Sequence, residues 1–313
     1  MPVVPLEKGL KSGEVQIVDR HFGTTGEPIS YAQAERLGEG RAFVGDIEFE
    51  FGGPEETIPG GGAVELRNRM RAPVLVLAGE IIVGGGQDRM FSRSQLLAPG
   101  EITSQPVFCV EPHRSHGDSV RFKAVAGMAD HGLRMRAVAW PDQKDVWDWV
   151  ASATRALGAF TKTGTYRAAL DGSASVSLEP YWKAVLPAFA AREATPAMVG
   201  IAVAFGGRLA SADDFATPEL FRQYSNELFT PAFRSDVTLA DVKAPPLSPS
   251  KVATELEQAS PQRDFKAAGR GRLDRAFLAD TLRFRQRAVY TRYLPTAAFD
   301  SPAGPSPDSA MFR

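Results

Sequence analysis

The side chains best suited to chemistry lie in one stretch of the chain, from Pro73 to His116. Arginines bind phosphate or carboxylate groups through paired hydrogen bonds, and carboxylates accept hydrogen bonds from hydroxyls or exchange protons. Their combination in one stretch predicts a binding site for a small molecule that carries phosphate and hydroxyl groups. The residues proposed for this ligand-binding site are Glu80, Gln87, Arg89, Glu111 and Arg114.

The same stretch contains the only cysteine, Cys109, and two of the four histidines, His113 and His116. A thiol beside an imidazole forms a nucleophilic pair. Four residues along a strand span about 13 Å, however, so this pair would require the loop to fold back. A lone cysteine is more often a small buried apolar residue, and two histidines without a third ligand are a weak metal motif. We therefore predict no metal ion and no cofactor, and we assign no catalytic residue.

Short β-strands are expected to position these side chains. The apolar, β-branched run Pro73–Val83 predicts one buried strand, and Leu96–Ala98 and Gln105–Glu111 predict two more. Tight turns are indicated at Gly84–Gly86 and at Pro99–Gly100. Together these elements predict an antiparallel meander within a β-sandwich or barrel-like domain.

One strand pairing would place the turn at Gln87–Arg89 beside the loop at Glu111–His116, and this pairing decides whether a site forms. Glu80 would then lie on an apolar strand face, where a carboxylate must find a partner or stay protonated. The alternative to a ligand-binding role is a structural ion pair between Glu80 and Arg89 or Arg114.

Two segments of this stretch share a pattern, LAGEIIVGGGQDRM at residues 77–90 and PVFCVEPHR at residues 106–114. They resemble the ARPP-1 family, a bacterial family named for association with ADP-ribosylglycohydrolases and rhodanese-like phosphatases. The family pattern is a Gly-Glu pair, an apolar run, Gly-Ala-Lys-Gln-Asn-Arg, and later Cys-Val-Glu-x-Gly-Arg. The matching residues are Gly79, Glu80, Gly84, Gln87, Arg89, Cys109, Val110, Glu111 and Arg114.

This chain departs from the family pattern at three positions. Gly86 stands where the family has lysine, Asp88 where it has asparagine and His113 where it has glycine. The first two changes make the turn more negative by two charges. A second block, Gly206–Arg208 with Asp214–Phe215, also resembles the family, so the resemblance extends from about residue 13 to 237. It implies a link to ADP-ribose or NAD metabolism.

Composition excludes several classes of protein. The chain has 313 residues with a net charge of −1, of which 43% are hydrophobic and 23% charged, as in a soluble globular protein. The near-zero charge gives no electrostatic reason for the whole chain to bind nucleic acid or membrane. The sequence shows neither an apolar run long enough to span a bilayer nor a signal peptide, so we expect a cytoplasmic protein without membrane contact.

The middle of the chain changes to a mixed pattern. A helix is predicted from Pro141 to Leu157, and another from Glu179 to Phe189. Met198–Phe205 predicts a strand that turns at Gly206–Gly207 and returns from Arg208. Thr217 is the expected N-cap of a third helix.

The C-terminal part is basic. Between Arg263 and Arg292 there are nine basic and three acidic residues, a net charge of +6. One helix is predicted over Arg272–Leu294, which would contact an acidic partner, nucleic acid or a second subunit. The alternative is an amphipathic helix that lies on the body of the protein, because arginine stems cover apolar surface well.

These observations predict an α+β protein. The expected organisation is an antiparallel β-sandwich-like domain at residues 1–130, an α+β module at 131–240, a Pro-rich linker at 241–250, a basic helical extension at 251–300 and a disordered tail at 301–313. Two functions stay open. The first is binding of a nucleotide-like ligand linked to ADP-ribose. The second is a non-enzymatic scaffold that forms homo-oligomers or binds an acidic partner.

Overall fold

The chain divides into two compact units, and each is described by itself. Unit 1 comprises residues 1–21 and 178–313, and unit 2 comprises residues 22–177. This computed structural model describes residues 3–7, 29–30, 47–51, 62–68, 72–84, 86–114, 122–139, 142–170, 198–205, 208–225, 227–228, 248–261 and 277–295.

Unit 2 contains a six-stranded sheet in which every neighbouring pair is antiparallel. Its strands, in order across the sheet, are β10 (Phe122–Met128), β6 (Glu80–Gly84), β7 (Arg89–Phe91), β9 (Ile102–Cys109), β4 (Gly62–Asn68) and β3 (Ile47–Phe51). A three-stranded sheet consists of β2 (Ile29–Ser30), β5 (Val74–Val76) and β8 (Gln95–Leu97).

Side chains from both sheets pack into one apolar core, so these two sheets hold unit 2 together by burial of aliphatic and aromatic surface. The six-stranded sheet contributes residues from β4, β6, β7, β9 and β10, and the three-stranded sheet contributes residues from β5 and β8. The buried members are Val64, Leu66, Val74, Val76, Ile82, Phe91, Leu97, Val107 and Phe122.

The predicted single strand over Pro73–Val83 is wrong. The chain turns at residues 77–79, so β5 and β6 belong to different sheets. Gly79 has a φ of +99°, and a Cβ atom there would lie 2.4 Å from Cγ of Arg134. Only glycine tolerates both the positive φ and the close approach of Arg134. The apolar residues on either side of Gly79 give no sequence signal for this turn.

Among the described residues of unit 2, three helices follow the sheets: α1 (His131–Ala139), α2 (Gln143–Ala156) and α3 (Arg167–Leu170). The helix expected after Pro141 is therefore confirmed. Asp142 is its N-cap, and its carboxylate accepts hydrogen bonds from the backbone N–H groups of Lys144 at 2.8 Å and Asp145 at 3.2 Å. This satisfies donors that the first helical turn leaves without partners.

Unit 1 contains the second six-stranded sheet. Its strands, in order, are β1 (Val3–Glu7), β11 (Met198–Phe205), β12 (Arg208–Phe215), β15 (Arg287–Pro295), β14 (Phe277–Phe284) and β13 (Ser260–Pro261). All pairs are antiparallel except β13 with β14. The strand predicted at Met198–Phe205 and its return from Arg208 are confirmed.

In the part of unit 1 that the structure describes, two helices pack against this sheet. Residues 218–225 are helical (α4), and the Thr217 hydroxyl accepts a hydrogen bond from the Leu220 N–H at 3.1 Å, which confirms the predicted N-cap. Helix α5 (Pro249–Glu257) buries Val252 and Leu256 against the face that carries Ala212 and Tyr293.

The helix predicted over Arg272–Leu294 is wrong for residues 277–294, which form the β14–β15 hairpin. Arg285 and Gln286 both have positive φ, of 48° and 71°, so they form a two-residue turn whose twist matches paired strands. Val289, Tyr290 and Thr291 favour strand over helix because β-branched and aromatic side chains pack well on a pleated surface. The flanking arginines, Arg287 and Arg292, obscured this strand signal.

Some expectations concern residues that the structure does not describe. These are the helix from Glu179 to Phe189, the Gly206–Gly207 turn, most of the linker at 241–247, the side chain of His116 and the tail at 301–313. Among the described residues, no helix is both long and apolar enough to cross a membrane.

Candidate functional site

Strands β7 and β9 bring together the two loops that carry the candidate residues. Arg89 pairs with Cys109 across the sheet, and the Val110 N–H donates to the Asp88 carbonyl at 3.0 Å. The Asp88 N–H donates to Glu111 Oε2 at 3.1 Å. The pairing hypothesis for the Gln87–Arg89 turn and the loop after Glu111 is therefore confirmed.

Arg114 lies between two buried carboxylates. Its Nη2 is 3.1 Å from Asp88 Oδ1 and 2.7 Å from Glu111 Oε2. The side chains of Asp88 and Glu111 are 6% and 5% exposed, whereas that of Arg114 is 30% exposed. We call Asp88, Glu111 and Arg114 the Arg114 clamp. The guanidinium of Arg114 is partly exposed to solvent, whereas the two carboxylates that it contacts are almost fully buried.

A second loop, residues 161–165, packs against the clamp. The Thr165 hydroxyl donates to Asp88 Oδ2 at 2.9 Å, and the His113 N–H donates to the Thr163 carbonyl at 3.0 Å. The His113 ring lies beside Gly164, where a Cβ atom would be 3.1 Å from Cδ2. Sequence reasoning did not connect this Thr-rich loop to the site, since no local signal indicates contact with a turn almost eighty residues earlier.

Burial controls the protonation of Asp88. It raises the pKa of this carboxyl above its usual value, and the nearby Glu111 carboxylate raises it further. Hydrogen bonds from the Gly84 N–H and the Thr165 hydroxyl, together with the charge of Arg114, oppose the rise in pKa. The Gly84 N–H donates at 3.2 Å. Two carboxylates against one guanidinium thus make the clamp sensitive to proton binding.

The clamp includes some of the sequence-predicted residues and excludes others. Gln87 belongs beside it, because its Nε2 donates to the Glu111 carbonyl at 3.2 Å. Glu80 begins β6, and four residues of strand, about 13 Å, separate it from Gly84 beside the clamp. The Glu80 carboxylate instead accepts a hydrogen bond from the Leu77 N–H at 2.5 Å across the turn. Asp88 is the clamp residue that the sequence-predicted set lacked.

Comparison with known proteins identifies the family of the chain. A family model described as the "ARG and Rhodanese-Phosphatase-superfamily-associated Protein domain", ARPP-1, matches residues 56–294 of the 313. The chain belongs to the ARPP-1 family. No curated protein and no solved structure matches it. The matched region includes every residue of the clamp.

Half-buried Arg89 and buried Cys109 lie opposite each other on β7 and β9 in this ARPP-1 protein. Burial lowers the pKa of the Arg89 guanidinium, while the neighbouring Cys109 raises it. Burial also raises the pKa of the Cys109 thiol, whose Sγ donates to the Glu111 carbonyl at 3.4 Å. Cys109 is therefore a neutral buried thiol and not an activated nucleophile. Within the described ranges, no group of three acidic, His or Cys side chains could hold a metal ion.

Gln143 fixes the end of β9 from the first turn of helix α2. Its Oε1 accepts from the Cys109 N–H and its Nε2 donates to the Cys109 carbonyl, both at 2.8 Å. Gln143→Ala should remove both bonds and leave two buried backbone groups without them. We expect a loss of about 2–4 kcal/mol in unfolding free energy, measured by urea denaturation. The exposed Gln258→Ala is the control, and an equal effect of both variants would contradict this role.

Proposed function

We propose that this ARPP-1 protein binds a small anionic, nucleotide-like ligand at the Arg114 clamp. The observation that carries the proposal is the orientation of one guanidinium. Nη2 of Arg114 contacts both carboxylates of the clamp, whereas Nη1 and Nε make no hydrogen bond with the part of the chain that the structure describes. A ligand oxygen that meets Nη1 would bind a side chain that is already held in place.

The surroundings of the clamp support an anionic ligand. The carboxylates are buried, whereas His113, Thr161 and Lys162 are exposed on the two loops that flank Arg114. A ligand that approaches from solvent therefore meets cationic and hydrogen-bond-donating groups first. The two carboxylates oppose an anion when both are ionised, and the raised pKa of Asp88 reduces that opposition.

The family description suggests the chemical class of this ligand. It refers to ADP-ribosylglycohydrolases and rhodanese-like phosphatases, enzymes of ADP-ribose and phosphate chemistry. ADP-ribose carries a diphosphate for Arg114 and hydroxyl groups for the threonines of the 161–165 loop. We also propose the finer expectations of a sandwich-like fold within residues 1–130 and of a cytoplasmic bacterial protein. The core shared by two sheets supports the sandwich-like fold.

Thermal unfolding against ADP-ribose, NAD, AMP and inorganic phosphate tests this function. A ligand at a hundred times its dissociation constant adds about 2.7 kcal/mol to folded-state stability, which corresponds to a rise of roughly 5 °C in Tm. Arg114→Gln should lose the rise and Lys251→Gln, an exposed charge removal in unit 1, should keep it. Equal shifts in both variants, or no shift with any of the four compounds, would contradict the proposal.

A second candidate function, a scaffold that self-associates through basic side chains, is favoured by the turn of the β14–β15 hairpin. Arg283 and Arg285 are exposed there, and Arg287 is half-buried. Deleting residues 244–313 would remove three strands of the unit 1 sheet, so charge reversal is the better test. The double variant Arg283→Glu, Arg285→Glu should lower the mass measured by analytical ultracentrifugation if the hairpin holds subunits together. An unchanged mass would reject homo-oligomerisation through this turn.

A further inference from the structure

Unit 1 contains a row of charged side chains in the middle of its sheet. Strand register places Asp213 opposite Arg292, and Arg292 opposite Asp280, so all three lie on the same face of β12, β15 and β14. Arg292 is 1% exposed and Asp213 is 2% exposed. The neighbours in register on this face, Leu278 and Leu294, are apolar and buried. Charges in such surroundings are stable only when they are compensated.

Charge balance shows where a proton would bind in this row. Two ionised carboxylates against one guanidinium leave one negative charge in excess. Asp213 accepts a hydrogen bond from the Tyr290 hydroxyl, which stabilises its ionised form. The Asp280 carboxylate, in contrast, has no hydrogen-bond partner among the described residues. Protonation therefore stabilises Asp280 in the folded chain more than it stabilises Asp213.

The surrounding elements supply no further compensation to Asp280 from their described residues. The titratable or charged groups on this face are Asp213, Asp280, Tyr290 and Arg292, and Arg283, which pairs with Ala288, lies at its exposed end near the turn. Helix α4 adds Tyr224, which stacks on Phe215 at 5.4 Å, and β13 adds no titratable side chain. The hairpin arginines lie beyond Leu282, towards the turn. Burial raises the pKa of Asp280 to about 6, although Arg292 opposes this rise.

We propose that Asp280 is a proton-binding site of unit 1, which stays protonated in the folded chain at mildly acidic pH and weakens the unit when the proton leaves. The direction of this pH dependence follows from the linkage between proton binding and folding. The folded-state pKa of about 6 lies above the ordinary value of 3.8 for an aspartate, so stability is greatest below pH 4 and is lost as the pH rises to about 6. The loss is complete and constant above about pH 7. The folding equilibrium should fall by roughly a hundredfold across this window.

The test compares full-length wild type with Asp280→Asn in urea denaturation from pH 4 to pH 8. Asparagine cannot ionise, so the stability of the variant relative to wild type should rise by roughly a hundredfold in folding equilibrium between pH 4 and pH 6.5, then level off. Glu257→Gln, which removes an exposed carboxylate of the same unit, should not reproduce this rise. A pH-independent difference between Asp280→Asn and wild type would overturn the proposal.

A direct titration keeps the proposal testable if Asp280→Asn fails to fold. Carbon-13 NMR of aspartate side-chain carboxyls in the folded wild type should show one midpoint near 6 that is missing from an Asp280→Glu spectrum. If every aspartate carboxyl titrates below pH 4.5, the proposed proton site does not exist.

Discussion

Gly132→Ala should destabilise unit 2 by about 3 kcal/mol or more, although alanine usually stabilises a helix relative to glycine. Gly132 lies in the first turn of helix α1. A Cβ atom there would lie 1.9 Å from Cζ2 and 2.3 Å from Cη2 of Trp149. The Trp149 ring cannot simply move away, because its Nε1 donates to Asp130 at 3.1 Å and Arg136 stacks over it at 5.0 Å.

The measurement for Gly132→Ala is the urea midpoint of the unit 2 transition, with Gly86→Ala as the matched control. No atom lies within 4 Å of a Cβ added at Gly86, so that variant should stay within about 0.5 kcal/mol of wild type. A Gly132→Ala protein as stable as Gly86→Ala would show that helix α1 and Trp149 do not pack as described.

Asp130→Ala should cost about 3–5 kcal/mol of unfolding free energy, because three buried donors lose their shared acceptor. The Tyr166 hydroxyl donates to Asp130 Oδ2 at 2.6 Å, Trp149 Nε1 donates to both carboxylate oxygens at 3.1 Å, and the Leu133 N–H donates to Oδ1 at 2.9 Å. The carboxylate therefore joins helices α1 and α2 to the residue that precedes α3.

Asp130→Asn removes the charge of the carboxylate but keeps the size and shape of the side chain. The amide oxygen can still accept from Leu133 and Trp149, but the amide nitrogen would face the Tyr166 hydroxyl, which already accepts from the Asp130 N–H at 3.0 Å. We expect a smaller loss than for alanine. Asp148→Ala is the control, since its side chain is 63% exposed and an exposed ion pair contributes little. Equal losses for Asp130→Ala and Asp148→Ala in urea denaturation would contradict the network.

The sequence predicted those elements whose local signals agree with their packing. Helix α2 has a proline–aspartate start and an apolar stripe, and β11 is a continuous apolar run, so propensity and burial indicate the same structure. The break at Gly79 could not be predicted, because its cause is the side chain of Arg134, which lies 55 positions later. The β14–β15 hairpin was also missed, since its turn uses Arg285 and Gln286 at positive φ and not the glycine or asparagine that usually marks such turns.

The candidate site was predicted only in part, because only some of its contacts follow from local sequence patterns. Gln87, Glu111 and Arg114 lie on two loops that one strand pairing joins, and alternation along β9 was enough to suggest it. The contact of Thr165 with Asp88 depends on the tertiary position of helix α2, which no local pattern encodes. Glu80 was included because it follows the same apolar run, but the turn at Gly79 gives its carboxylate a backbone partner.

Calorimetric titration of ADP-ribose into the full chain tests the proposed ligand-binding site most directly. Wild type and Lys251→Gln should bind with one site per chain and equal affinity. Arg114→Gln should bind at least tenfold more weakly while keeping the wild-type fold by circular dichroism, because it loses a charge-assisted contact worth about 1.5–3 kcal/mol. Unchanged affinity in Arg114→Gln, or no binding heat with wild type, would contradict a ligand site at the Arg114 clamp.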